Sequence, residues 1–334
     1  MKRKNYLDIA RTISIVAVVI LHTVSGVLAV YEEEMTQLQI GVYGAIRILC
    51  AFAVPVFLMI SGALFLPPEK EISLKDLFGK YIRRLLLALL LFGTVFCYME
   101  LFVNHKGFYG SDILQAVKNV LTGECWAHMW YLYMLIGIYL IMPVLKAFTA
   151  HASKKVYIYV LILLFLFQVL LPFIGTALKF SCGIQFPIAS VYVFYFLFGY
   201  YCDRYVEKSA GLFLISVAGC ALSITCIVLA YVRNPKAVFQ YDSLYVAVFA
   251  MCLFVLFKRI NAESRLCRTM NPYVFGIYLI HPFFLNLFYK GLHISPLAKG
   301  GFLLILLFAA VTFLLSFAAV WILRKLPFMR KWVL

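Results

Sequence analysis

The stretch LDIARTISIVAVVILHTVSGVLAV, residues 7–30, reads as a helix crossing a membrane, yet it carries Asp8, Arg11 and His22. A bilayer-spanning helix needs about 20 predominantly apolar residues, and this run is long enough. Arg11 and His22 are eleven residues apart. At roughly 100° per residue their side chains point within about 20° of each other, some 16 Å apart along the axis. Asp8 is expected on the same side. A charged group in mid-bilayer costs on the order of 2.5–3.5 kcal/mol, so a helix with several such groups on one stripe is expected to line a protein interior or wet cavity.

The rest of the chain extends this reading. Of 334 residues, 65% are hydrophobic and 13% charged, with a mean hydropathy of +0.96, far outside the range of soluble domains. An all-α polytopic membrane protein is expected, with about ten spans at 7–30, 41–66, 83–103, 129–148, 155–174, 188–203, 211–231, 242–258, 272–290 and 300–323. The sixth is the shortest. Of the 30 Lys and Arg, 21 fall on the side holding Lys2, Arg3 and Lys4, and 7 on the other, with Arg11 and Arg47 inside spans. This asymmetry predicts that both termini are cytoplasmic in a plasma-membrane, multi-pass protein of bacterial type. The net charge of +16 comes from these scattered clusters, not from a basic stripe, so nucleic acid is excluded as partner and the lipid bilayer is expected instead. The first span's apolar run is longer than a secretory signal's, and further spans follow, so it is read as retained.

No linker or low-complexity tract interrupts the spans, and residues 1–334 read as one membrane domain. The nine cysteines lack C-x-x-C or zinc spacing, so no metal is expected, while Cys125 and Cys182 fall near external span ends as candidates to pair. A short surface helix is expected at 113–121, and kinks at Pro55 and Pro282.

Depth sorts the polar groups. Asp8 and Arg11 lie near the cytoplasmic face, where Lys80, Arg83 and Arg84, preceded by Lys70 and Lys75, form a basic mouth suited to a phosphate-rich ligand. His22 is about 23 Å from the inner end of its helix. Arg47, Glu100, Glu124, Trp126, His128 and Trp130 are expected at a similar outer level, with His281 nearer mid-depth. Plainer readings exist: Arg47 with Glu100 as a structural ion pair, the basic mouth as a topological signal, and His22 as an interhelical hydrogen-bonding residue.

Four stretches in order resemble the acyltransferase-3 family of integral membrane acyltransferases, which includes bacterial surface-polysaccharide O-acetyltransferases. They are Tyr6 to Arg11 followed by His22, Val54 to Gly62 with its Ser61-Gly62 pair, His128-Met-Trp130 with Tyr139 to Pro143, and Phe275 to Pro282 with His281. The resemblance implies acyl transfer, commonly acetyl, from cytoplasmic acyl-CoA (acetyl-CoA as co-substrate, no bound cofactor) to a hydroxyl of a glycan or lipid-linked envelope acceptor. It implies His22 as general base or transient acyl carrier, with Arg11 and Asp8 beside the catalytic path. Lys80, Arg83 and Arg84 would serve the donor, and Arg47, Glu100, His128 and Trp130 the acceptor or oxyanion. Either role needs a neutral His22 imidazole. The family's paired basic residues three apart correspond here to Lys80 and Arg83, with Arg84 next, and all three stay candidates. The alternative is a transporter or flippase of a small solute, such as an amino acid, or of an envelope polysaccharide. A scaffold subunit is the third reading. Oligomeric state is not readable from the sequence.

Overall fold

The computed structural model describes residues 3–180, 183–184, 190–295, 297 and 301–334, and no strand occurs among them. Its helices are α1 (Asn5–Glu34), α2 (Gln37–Phe65), α3 (Leu74–His105), α4 (Ala127–His151), α5 (Lys154–Leu178), α6 (Val191–Tyr205), α7 (Ala210–Arg233), α8 (Leu244–Arg259), α9 (Arg265–Gly291) and α10 (Gly301–Leu323). Each expected segment overlaps one of them, and residues 188–189 and 300 of the sixth and tenth lie outside the described residues. Eight are long and apolar enough to cross a membrane, whereas α6 has 15 residues and α8 has 16. The protein is an all-α polytopic membrane protein. Cys182 and Pro187 lie outside the described residues, so the Cys125–Cys182 pairing has no structural counterpart here.

Local chemistry sets several boundaries. Thr36 and Gln39 form a reciprocal capping box at the start of α2, and the Ser153 and Ser209 hydroxyls cap α5 and α7, satisfying backbone N–H groups that a first turn leaves open. Between α3 and α4 a surface helix, Gly110–Thr122, buries Asp112, Ala116 and Val120 and ends at Gly123, whose φ of 85° favours glycine. It covers the expected 113–121. Near Pro55 the helix breaks at Ala51–Phe52, as expected for a ring that crowds the carbonyl four residues earlier and donates no N–H. Pro282, by contrast, sits within a continuous stretch, Val274–Asn286, and only the wide turn Leu287–Gly291 departs from α geometry.

The bundle is locked where α2 crosses α6. A Cβ on Gly62 would lie 1.7 Å from the Phe196 carbonyl oxygen, and one on Gly199 would lie 2.0 Å from that of Met59. The glycines let the two backbones meet, as small residues do between membrane helices. Two lysines then close helix ends that lack further N–H donors. Lys146 Nζ donates to the carbonyls of Phe65, Pro67 and Lys70, and Lys258 Nζ to those of Cys202, Asp203 and Val206.

α1 runs through the middle, touching α2, α8, α9 and α10. That central position is why a helix carrying Arg11 and His22 is tolerated: both groups face protein-lined space instead of lipid. At its start, Lys4 pairs with Asp203, whose second oxygen accepts from the Tyr6 hydroxyl at 2.7 Å, so α1 is anchored to the end of α6.

Candidate active site

Two cavities flank α1, one toward each end. The Arg11 cavity encloses about 550 Å³ and is lined by Arg11, Ser61, Arg84, Asn271, Arg324 and Arg330, with aromatic walls from Tyr131, Tyr139, Phe275 and Tyr278. Arg11 Nη1 donates to Asn271 Oδ1 at 3.1 Å, and Arg84 Nε donates to the Val333 carbonyl at 3.1 Å. Arg324 Nη1 donates to the Pro272 carbonyl at 2.8 Å, and the Arg84 guanidinium also lies 5.2 Å over the Phe275 ring. No Asp or Glu lines this space, and none of its four arginines enters an ion pair among the described residues. Three of these guanidinium groups bond to neutral partners, and a cluster of this kind is chemically suited to a polyanionic ligand.

The His22 cavity, about 390 Å³, is lined by His22, Ser25, Glu100, Trp126, His128, Asn286, Tyr289 and Lys290. An adjoining cleft of about 320 Å³ between α3 and α9 shares Glu100, Trp126, Asn286 and Lys290 with it. Three imidazoles meet at the bottom. The ring centroid of His22 lies 5.0 Å from that of His281 and 6.4 Å from that of His128, and the last two are 5.8 Å apart. His281 is 0% exposed and His128 3%. Among the described residues no group of three His, Cys, Asp or Glu side chains is arranged to hold a metal ion.

Only a thin wall separates the two spaces. Val18 lines the Arg11 cavity and His22 the other, so the cavities approach within one turn of α1, roughly 6 Å along its axis. Tyr131 and Tyr278, centroids 5.5 Å apart, line the Arg11 cavity. The Tyr278 hydroxyl donates to the His128 carbonyl, and its ring lies 5.7 Å from His128 and 6.2 Å from His281.

The structure brings His22, Glu100 and His128 together, as their depth implied, and adds His281. Other candidates lie elsewhere. Arg47 does not line the His22 cavity and forms no ion pair with Glu100; it faces Tyr231 of α7, while Glu100 accepts from Trp126 Nε1 at 3.0 Å. Neither Glu100 nor Glu124 is hydrogen-bonded to His22. Trp130, two residues beyond His128 and so on another side of the chain, packs 5.6 Å from Tyr192 and 5.3 Å from Tyr241. Trp126, expected at the same level, does line the cavity and stacks 4.4 Å from Phe96.

Asp8 pairs with Arg3 at 2.6 Å and lines a separate surface pocket with Arg265 and Arg268 instead of facing Arg11's cavity. Of the basic mouth, only Arg84 enters the cavity. Arg83 lies 4.0 Å over Trp332, and Lys80 5.5 Å over Tyr81. Lys80, four residues before Arg84, would share its face in a regular helix, but Leu77–Ile82 is a π-helical turn that shifts the register. Arg324, Arg330 and Asn271 were not anticipated as site residues. The two arginines sit in a cluster that already satisfied the topological rule, so nothing set them apart.

A family model described as an acyltransferase domain matches residues 4–321, nearly the whole chain and both cavities apart from Arg324 and the residues after it. No curated protein and no solved structure matches it. With its all-helical membrane bundle and that match from end to end, the chain belongs to the acyltransferase-3 family of membrane acyltransferases.

Proposed function

We propose that the protein transfers an acyl group, acetyl as the first expectation, from acyl-CoA bound in the Arg11 cavity to a hydroxyl of a glycan or lipid-linked envelope acceptor bound in the His22 cavity. The observation that carries this reading is the cavity of four arginines without carboxylate partners, ending one helical turn from His22. The lysine and arginine asymmetry supports a cytoplasmic Arg11 end, on the side where acyl-CoA is made.

Phosphates of the donor bind at Arg84, Arg324 and Arg330, and Arg11 with Asn271 guides the thioester arm along α1. Eleven residues of helix, about 16 Å, separate Arg11 from His22, a span that an extended pantetheine arm can bridge. His22 takes the proton of the acceptor hydroxyl as its oxygen bonds to the thioester carbonyl carbon. Collapse of the tetrahedral species breaks the carbon–sulfur bond, and the imidazolium returns the proton to the departing thiolate. Products are the ester and free CoA thiol, so atoms and charge balance. Trp126, Asn286 and Lys290 orient the acceptor at the opposite mouth.

The test combines donor binding with turnover. Acetyl-CoA and free CoA should raise the melting temperature of the solubilised wild type and not that of Arg11→Ala. Labelled acetyl-CoA should acylate envelope material in wild-type membranes, with transfer abolished in a folded His22→Ala. Absence of any shift up to millimolar ligand, or full turnover by His22→Ala, overturns the reading; solute flux that persists without acyl-CoA would establish transport in its place.

A further inference from the structure

His281 has a hydrogen-bonding pattern that the donor and acceptor cavities leave unexplained. Its Nδ1 lies 3.1 Å from the Ile277 carbonyl, one turn earlier on α9. A carbonyl oxygen only accepts, so Nδ1 carries the proton and, in the neutral ring, Nε2 carries the lone pair. That Nε2 is fully buried and has no partner. Buried acceptors are rarely left open unless another group completes them at some stage of the working cycle. The adjacent ring is His22, at 5.0 Å between centroids. Two imidazoles joined by an N–H···N bond of about 3 Å have centroids roughly 5 Å apart, so the spacing of the two rings matches such a bond with the His22 ring turned toward Nε2. His22 has no hydrogen-bond partner of its own among the described residues, whereas His128, also with an open Nε2, is farther from it at 6.4 Å.

We propose that His281 is the positioning residue of His22: its Nε2 accepts the N–H of one His22 nitrogen and so leaves the other nitrogen unprotonated toward the acceptor hydroxyl. This rests on the role proposed for His22 above. Ile277 holds His281 in one tautomer, and His281 holds His22 in one tautomer. When His22 takes the acceptor proton, the resulting imidazolium keeps its second N–H on His281, which holds the charge in place until the thiolate recovers the proton. His281 touches neither substrate.

Substitutions that keep or remove the acceptor separate this role from packing. In His281→Gln the amide oxygen reaches the place of Nε2, whereas His281→Leu fills the space without an acceptor. Acyl transfer from labelled acetyl-CoA by the full-length protein in proteoliposomes containing envelope acceptor should fall ten- to a hundredfold in kcat for His281→Leu, with KM for acetyl-CoA unchanged, and His281→Gln should recover at least tenfold of that loss. A packing role predicts the reverse order, because a buried amide disturbs an apolar site more than leucine does.

A second readout needs no turnover. The unprotonated imidazole nitrogen attacks a carbonyl carbon of diethylpyrocarbonate, and the modified His22 peptide is quantified by mass spectrometry. Wild type and His281→Gln should modify several-fold faster at His22 than His281→Leu. Equal modification rates, or His281→Leu as active as His281→Gln, would overturn the proposal. Inactive wild type with the modification difference intact would instead indict the acyl-transfer reading while leaving the pair standing.

Discussion

The guanidinium of Arg11 and the side-chain amide of Asn271 are joined by a 3.1 Å hydrogen bond, which ties the first turns of α1 to the start of α9 at the Arg11 cavity. Asn271 uses its oxygen for this, so its Nδ2 is left buried without a partner beside the same cavity. Asn271→Ala therefore removes both an anchor for Arg11 and a donor free for ligand. KM for acetyl-CoA should rise about tenfold, the effect expected for roughly 1.5 kcal/mol of lost hydrogen bonding. Titration of the donor in steady-state transfer checks it, and a change confined to kcat would place Asn271 off the donor path.

Neighbouring arginines should behave differently. Arg84 lines the cavity, while Arg83 spends its charge over Trp332 at the exposed surface. Arg84→Ala, Arg324→Ala and Arg330→Ala should each weaken acetyl-CoA binding ten- to a hundredfold, in line with about 1.5–3 kcal/mol for a charge-assisted hydrogen bond, whereas Arg83→Ala stays within about twofold of wild type. Isothermal titration with CoA at low and high salt would measure both the affinities and their screening.

Gly62 offers a prediction whose sign is diagnostic. Replacing a mid-helix glycine by alanine ordinarily stabilises by about 0.5–1 kcal/mol. Here the added carbon would meet the Phe196 carbonyl oxygen at 1.7 Å, with backbone on both sides. Gly62→Ala should lower the melting temperature sharply or abolish recovery of folded protein by size exclusion, and a stabilised variant would refute the close α2–α6 crossing.

On the acceptor side, Trp126→Phe keeps an aromatic face against Phe96 but deletes the N–H that Glu100 accepts at 3.0 Å. Glu100 should then lose its orientation. KM for the envelope acceptor is expected to rise about three- to tenfold, consistent with one hydrogen bond to a charged group, with acetyl-CoA affinity unaltered. Loss of donor binding in this variant would contradict the separation of the two cavities.

Arg11 and His22 were legible because an apolar helix pays attention to every charge: nothing but a protein-lined interior accommodates both on one stripe. The helices themselves followed from hydropathy, which is why each expected segment has a structural counterpart. What depth alone did not supply was direction around each helix axis. Arg47 and Glu100, expected at one level, face different neighbours, and of Trp126 and Trp130 only Trp126 lines the cavity, since α4 opens with a short 3₁₀ turn, Ala127–Met129. Lys80 left Arg84's face through a π-helical turn that no residue type announces. Arg324 and Arg330 were hidden differently, since a basic cluster that obeys the orientation rule gives no reason to look for a second use.

Being hollow from both ends along one helix has an electrical consequence. Two excavated regions shorten the insulating path between aqueous phases, and the potential across a membrane then drops over whatever solid material remains, about 2.3 kcal/mol for each unit charge moved through 100 mV. That remainder includes one turn of α1 between Val18 and His22, with the ring pair of Tyr131 and Tyr278 lining its Arg11 side. Neutral phenols and a helical turn with its amides already bonded offer no foothold to a permeating ion. An uncharged acyl group can be handed over at such a partition without discharging the membrane that the protein sits in.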